Sequence, residues 1–199
     1  MNKLDFSFVY KKFKKRLQET YGKEVASLVW KKANTKLKNL SAEYKNIGSD
    51  EKMMILPLAA IYFSMKEENL ENSLELLNQY GKETGKRFSK LIRKITSFPG
   101  LPEVLWKNMS SLMRKNSSPE KGYQRKIISE TQELVAVDIL VCPLHEMAKK
   151  LGIPEITSVV CLIDKGQMTG FKHIEYTRTK ALGDGDIFCD YRLRYDKEK

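Results

Sequence analysis

Residues 133–143 read Glu-Leu-Val-Ala-Val-Asp-Ile-Leu-Val-Cys-Pro, an apolar and largely β-branched run that ends in a Cys-Pro pair. Upstream of it, apolar residues such as Val9, Phe13 and Leu17 recur every three or four positions, which predicts helices over about 4–113. The run at 133–143 breaks this period and predicts a β-strand, because β-branched residues favour extended backbone. The chain therefore combines a helical part with a part that contains a sheet.

The boundary between the two parts is expected at the polar, turn-rich segment 115–120. We therefore predict a helical region over 1–116 and an α+β region over 117–199, packed as one compact domain. In the helical region, a long pattern from Leu70 to Ile95 contains Gly81 and Gly85, where we expect a break or kink.

The C-terminal region predicts an antiparallel sheet of about four strands, covered by the N-terminal helical bundle. The strands are expected at 123–128, 133–141, 171–180 and 187–195. Residues 156–163 are ambiguous, since their β-branched content favours a strand and the preceding Pro-Glu pair favours a helix start. We interpret them as a helix. The predicted fold class is α+β.

Composition limits the function classes. The 36 basic and 25 acidic residues give a net charge of +11, but the basic residues alternate with apolar ones at helical spacing. That pattern is typical of a solvated helix face, and no nucleic-acid-binding signature accompanies it, so nucleic acid is not an expected partner. A charged N-terminal start and the lack of a membrane-length apolar run predict a cytoplasmic protein without a membrane partner.

Cys142 is the first candidate for chemistry. It precedes Pro143, which is suited to the first position of a helix, so its thiol should face free backbone N–H groups. Such a position lowers a thiol pKa and favours thiolate. His145 falls in the same first turn and could move a proton. The alternative is a buried thiol that packs as a small apolar group, with a surface histidine.

Two aspartates are placed near this cysteine by pattern. Asp138 interrupts an otherwise apolar strand and, by alternation, should point to the same side as Cys142. In the predicted helix, Thr157, Cys161 and Asp164 share one face by their spacing of four and three residues. A polar stripe on an apolar helix is typical of a pocket wall.

The last two strands add an arginine and a cysteine. Arg178 falls on the side of Ile174 and Tyr176, so its guanidinium should turn toward the packed face, where it could hold a carboxylate. A structural ion pair with Asp190 or Asp138 is the alternative. Cys189 alternates onto the inward face of its strand.

The order of these motifs resembles the L-2-amino-thiazoline-4-carboxylic acid hydrolase family. The resemblance lies in Cys142-Pro143, Cys161-x-x-Asp164, Phe171, Arg178-Thr179 and Cys189-Asp190-Tyr191, and also in residues 56–62. It implies the opening of a cyclic isothiourea that carries a carboxylate, which yields a carbamoyl derivative of cysteine, with a small carboxylated molecule as partner. The candidate catalytic residues are then Cys142, Asp138, His145, Asp164 and Asp190, and the candidate substrate-binding residues are Arg178, Cys161, Thr179 and Cys189.

The sequence is also consistent with two other classes of protein. One is a zinc or iron site formed by Cys142, His145, Cys161 and Cys189, although their spacing is not that of a standard zinc motif. The other is a noncatalytic, sensor-like module that binds a small molecule. The hydrolase hypothesis itself predicts no cofactor, and a homo-oligomer is left open.

Overall fold

A computed structural model describes residues 4–197 and confirms the α+β class; residues 1–3 and 198–199 of the two expected regions lie outside it. The α-helices run over Phe13–Tyr21 (α1), Lys23–Glu43 (α2), Leu56–Glu67 (α3), Ser73–Thr96 (α4), Leu101–Lys107 (α5), Met109–Asn116 (α6), Pro143–Lys150 (α7) and Thr157–Met168 (α8). A π-helix at Glu51–Ile55 leads directly into α3. Short 3-10 helices lie at Leu4–Phe6, Pro119–Lys121, Pro154–Ile156 and Leu182–Asp184.

The sheet is four-stranded and antiparallel throughout, as predicted. Its strands are Gln124–Glu130 (β1), Leu134–Val141 (β2), Ile174–Thr177 (β3) and Cys189–Tyr195 (β4), in the order β1-β2-β4-β3. β3 is shorter than expected at both ends. Before it, His173 has a left-handed backbone with φ of 60°. After it, the backbone N–H of Thr179 donates to the side chain of Asp190 in β4 and not to the β4 backbone. β2 and β4 form the centre of the sheet.

Residues 156–163 are helical, which confirms the interpretation drawn from Pro154. The helix begins after a 3-10 turn at Pro154–Ile156, and α8 buries Thr157, Val159, Val160 and Ile163. Its β-branched residues pack into the interior instead of forming a strand, because tertiary burial outweighs their weak local preference for extended backbone.

The predicted break at Gly81 and Gly85 is wrong, because α4 is continuous from Ser73 to Thr96. Both glycines instead face α8. A Cβ on Gly81 would lie 2.8 Å from the carbonyl oxygen of Val159, and a Cβ on Gly85 would lie 2.8 Å from that of Leu162. The missing side chains therefore let the two helix backbones approach closely, which fixes α8 between α4 and the sheet.

Two groups of buried apolar side chains hold the layers together. The first lies among α1 to α4, α7 and the start of α8, and includes nearly all of α3. The second joins β2, β3 and β4 to Met109 of α6. Nowhere in residues 4–197 does a helix combine the length and the apolar character needed to cross a membrane.

Candidate active site

A cavity of about 340 Å³ lies between the sheet, α8 and the segments that precede α3. Its polar lining comes from β4, α8 and the positions just before the π-helix, before β1, after β2 and after β3: Asp50, Tyr123, Cys142, Thr157, Cys161, Asp164, Gln167, Arg178, Cys189 and Tyr191. Three cysteines that are far apart in the sequence therefore converge on one cavity. The predicted stripe of Thr157, Cys161 and Asp164 forms its wall on α8.

Asp164, Arg178 and Tyr191 form a hydrogen-bonded network in this cavity. The Arg178 Nη1 atom lies 2.9 Å from Asp164 Oδ2, and the Tyr191 hydroxyl donates to the same oxygen at 2.6 Å. Arg178 also contacts the Tyr191 oxygen at 3.2 Å and donates from Nη2 to the carbonyl of Cys161 at 2.8 Å. Residues from α8, β4 and the end of β3 are thus joined at one carboxylate.

Asp164 keeps one oxygen outside this network. Both bonds end on Oδ2, and 33% of the side chain is exposed, on the cavity side. Burial raises the pKa of Asp164, while Arg178 and the Tyr191 hydroxyl act to lower it. A raised pKa makes the carboxylate a better proton acceptor, which suits a group that takes up a proton and then returns it.

Arg178 faces the packed side of the sheet, as the alternation predicted. Its side chain is 5% exposed, and the carboxylate beside it belongs to Asp164. The proposed ion pairs with Asp190 and Asp138 are therefore wrong. The guanidinium also lies over the Tyr191 ring, 5.5 Å from its centroid, so it is held from several sides.

Cys142 occupies the expected position, at the residue before α7 with Pro143 in the first turn. The expected low pKa is wrong. Burial raises the pKa of the thiol to about 11, and the backbone amides of His145 and Leu144 offset only part of that rise. The helix N-terminus favours the thiolate, but removal of water from an anion costs more.

The other two thiols have raised pKa values for the same reason. Burial raises the pKa of Cys161 to about 12 and also raises that of Cys189. The Cys189 sulfur accepts a hydrogen bond from the backbone N–H of Leu182 at 3.3 Å. A Cβ on Gly183 would lie 2.9 Å from Cys161 Sγ, so the glycine lets this loop close over the thiols. All three cysteines are protonated thiols at neutral pH.

Asp138 does not share a side with Cys142, and this prediction is wrong. Gln124 pairs with Val141 and Arg125 pairs with Ile139, so Leu140 is an extra, bulged residue in β2. A bulge reverses the alternation beyond it. Cys142 therefore lines the cavity together with Ile139, whereas Asp138 binds Arg192 Nη2 at 2.8 Å, away from the cavity lining.

Asp190 and Thr179 also lie outside the cavity lining. Asp190 is opposite Asp138 in the sheet register. Its carboxylate accepts bonds from the Thr179 backbone N–H at 2.9 Å, from the Thr179 hydroxyl at 2.7 Å and from the Lys180 backbone N–H. These bonds lower the pKa of Asp190 against the effect of burial. The geometry gives the pair a structural role at the end of β3.

His145 lies behind the cavity wall instead of in it. Its Nδ1 atom is 3.2 Å from Thr157 Oγ1, and Thr157 lines the cavity. Burial and then Lys149 lower the pKa of the imidazole, which keeps it neutral at physiological pH. Within residues 4–197, no three His, Cys, Asp or Glu side chains are grouped so that they could hold a metal ion. The four proposed metal ligands therefore do not form a site.

Several lining residues were not predicted as site residues. Asp50, Met53 and Met54 come from the π-helix and its start, and Phe88 and Gln167 come from α4 and α8. No motif marks them, because separate elements bring them together. For Tyr191, period-two alternation with Cys189 did indicate the inward face.

The Asp164-Arg178 pair and the three cysteines therefore line one cavity of this fold. The chain belongs to the L-2-amino-thiazoline-4-carboxylic acid hydrolase family, because the model of that family matches residues 50–193. This confirms the resemblance and covers every polar residue of the cavity. No curated protein sequence matches the chain.

Solved structures of H-NOX proteins are similar in outline. An H-NOX protein from K. algicida, in the Fe(II) unliganded form, is 12% identical with a TM-score of 0.36, and 96% of each chain is covered. An oxygen-binding H-NOX domain related to soluble guanylate cyclases is 14% identical with a TM-score of 0.37, over 95% of this chain and 94% of the other. Likeness at this level supports no conclusion about function.

Proposed function

We propose that this protein is a hydrolase that opens a cyclic isothiourea or a related small molecule with adjacent C–N and C–S bonds. The observation that carries the proposal is Asp164, a carboxylate held by Arg178 and Tyr191 at the wall of the cavity. Membership of the thiazoline carboxylate hydrolase family supplies the substrate class.

Asp164 is suited to general acid-base catalysis. Its raised pKa brings proton exchange closer to neutral pH, and Arg178 fixes its orientation through Oδ2. The second oxygen is then free to contact a water molecule or a substrate nitrogen. Positioned general acid-base groups typically accelerate a reaction by about 10²- to 10⁴-fold.

The proposed reaction begins with water attacking the carbon between the ring nitrogen and the ring sulfur. Asp164 takes the proton of that water as the new C–O bond forms, and a tetrahedral centre results. The centre collapses to a C=O group as the C–S bond breaks: its hydroxyl proton passes to the ring nitrogen, and Asp164 returns its own proton to the departing sulfur. One water is consumed, no electrons are exchanged with another reactant, and the product is a carbamoyl derivative with a free thiol.

Water is a better nucleophile here than a cysteine. Burial raises the pKa of Cys142 to about 11 and that of Cys161 to about 12, so little thiolate is present at neutral pH. The described residues place no imidazole against either thiol in the cavity lining. Protonated thiols can still donate weak hydrogen bonds to a substrate.

The test is turnover of 2-amino-thiazoline-4-carboxylate and of 2-amino-2-thiazoline, followed by release of the product thiol. Asp164→Asn keeps the shape and an acceptor for Arg178 but cannot take a proton, so we expect turnover to fall by about 10²-fold or more. Asp184→Asn, an exposed change in the nearby loop, is the matched control. Equal turnover in wild type and Asp164→Asn would refute the role of Asp164.

A noncatalytic binding module is the second candidate. The raised pKa values of all three thiols favour it, because they leave the cavity without a ready cysteine nucleophile. Binding of the thiazolines without any release of thiol would support this candidate over the hydrolase.

A further inference from the structure

We propose that the natural substrate joins a basic isothiourea or amidine head to an apolar substituent, where the family's namesake substrate carries a carboxylate. The proposal rests on the proposed function and concerns what the same cavity selects. Three features of the cavity carry it: its charges, its apolar lining and its volume.

The charges of the cavity favour a cationic head over an anionic one. Within residues 4–197, Arg178 is the one basic side chain in the cavity lining. It is 5% exposed and already bound to Asp164, Tyr191 and the carbonyl of Cys161. The carboxylates of Asp164 and Asp50 both line the cavity, and Asp50 is paired only loosely with Lys121, at 3.8 Å.

A protonated isothiourea or amidine matches this arrangement. Its N–H groups share a positive charge, and one of them can donate a charge-assisted hydrogen bond to the Asp164 oxygen that Arg178 and Tyr191 leave unbound. A substrate carboxylate would meet no free cation in the same cavity. It would lose water without gaining a charged partner, which is costly.

Much of the cavity lining is apolar. The apolar lining of the cavity includes Phe8, Val9, Met53, Met54, Phe88 and Leu144. Phe8 is 72% exposed and Met53 is 59% exposed, so they lie at the mouth, where the Phe8 and Phe88 rings stack with centroids 5.5 Å apart. Exposed apolar residues grouped at a cavity mouth are typical of a ligand site. This group is continuous with the polar wall around Asp164.

The volume leaves room for such a substituent. At about 340 Å³, the cavity lies in the range of roughly 300–1,000 Å³ that takes drug-sized ligands. A single thiazoline ring with one carboxylate is much smaller than a drug-sized ligand. With its head at Asp164, the rest of a longer substrate would extend along Met53, Met54 and Phe88.

The experiment compares three probes by calorimetric titration of the whole protein. They are 2-amino-2-thiazoline, its 4-carboxylate and its 4-phenyl derivative, which share one head. We expect the phenyl derivative to bind about tenfold or more tightly than the parent, because a buried ring adds apolar contact. We expect the carboxylate to bind more weakly than the parent. Tightest binding of the carboxylate, or equal binding of phenyl and parent, would overturn the proposal.

Variants at the cavity mouth test whether the phenyl group binds there. Met53→Ser and Phe88→Ser should each reduce the affinity for the phenyl derivative several-fold more than they reduce the affinity for the parent. Phe98→Ser changes a phenylalanine that is 67% exposed outside the cavity lining and should change neither. An undiminished phenyl gain in both mouth variants would overturn the assignment of this surface.

Failure of this proposal is distinct from failure of the proposed function. If all three probes bind and are opened but the carboxylate is preferred, the hydrolase stands and the apolar substituent is refuted. If Asp164→Asn binds every probe as tightly as the wild type does, the head does not lie at Asp164, and both proposals are refuted together.

Discussion

Gly85 and Gly166 lie directly against each other where α4 crosses α8. A Cβ on Gly166 would lie 2.4 Å from the Gly85 Cα and 2.5 Å from its carbonyl carbon. Real side chains do not approach backbone so closely, and backbone on both sides leaves nothing flexible to move aside. This contact holds the helix that carries Cys161 and Asp164 at a fixed distance from α4.

Gly166→Ala is therefore expected to destabilise the protein although it removes a helical glycine. Helix propensity alone would stabilise α8 by about 1 kcal/mol, whereas forced overpacking typically costs about 1–3 kcal/mol or more. We expect the free energy of unfolding in urea to fall by about 1–3 kcal/mol. Gly48→Ala is the control, because its new Cβ would meet only the mobile end of the Glu51 side chain. A Gly166→Ala variant more stable than the wild type would contradict the close contact.

Asp190→Ala is expected to reduce stability more than function. The change removes the acceptor for two backbone N–H groups and the Thr179 hydroxyl. Loss of such bonds to a charged group costs about 1.5–3 kcal/mol. We expect a lower melting temperature with ligand affinity retained in the folded protein. Loss of turnover at an unchanged melting temperature would restore Asp190 as a catalytic candidate.

The sequence predicts the class of fold and the part of the cavity wall on α8 and β4, because both follow local periods. The spacing of Thr157, Cys161 and Asp164 and the alternation of Cys189 and Tyr191 are properties of single elements. The position of Asp138 was mispredicted, because one bulged residue at Leu140 reverses a strand's alternation and leaves no mark in a run of apolar residues.

Other features depend on packing between distant segments. The pKa of Cys142 is set by how deeply the folded chain buries it, which a helix-start motif does not reveal. The partner of Arg178 lies on a helix that is not adjacent to it in the sequence. The continuity of α4 through Gly81 and Gly85 depends on α8, which supplies the close contact that makes glycine necessary there.

Thiol reactivity tests the burial of Cys142. Its pKa of about 11 lies about two units above that of an exposed thiol, so the thiolate fraction at pH 7 is roughly a hundredfold smaller. Iodoacetamide should therefore modify Cys142 at least tenfold more slowly in the folded protein than in urea, as followed by mass spectrometry. Cys142→Ser should retain turnover. Faster modification in the folded state would show an activated thiolate and return the nucleophile role to Cys142.

Tyr191→Phe tests whether the Asp164 network controls proton transfer. The Tyr191 hydroxyl stabilises the Asp164 carboxylate by donating to Oδ2 at 2.6 Å, and this bond opposes the rise in pKa caused by burial. Without the hydroxyl, the pKa of Asp164 should rise further. A general base acts only when deprotonated, so activity should appear at higher pH in the variant. We expect the acid limb of the kcat/KM profile to move to higher pH, with activity recovering as pH is raised.

Tyr176→Phe provides the matched control for this shift. Tyr176 lies beside Tyr191, with ring centroids 5.7 Å apart, and its buried hydroxyl has no hydrogen-bond partner among residues 4–197. Removing an unpaired buried hydroxyl should not destabilise the protein, because no bond is lost. The acid limb of the kcat/KM profile of Tyr176→Phe should stay near that of the wild type. A purely structural role for Tyr191 would lower activity equally at all pH values, and identical acid limbs in Tyr191→Phe and wild type would exclude Asp164 as the titrating base.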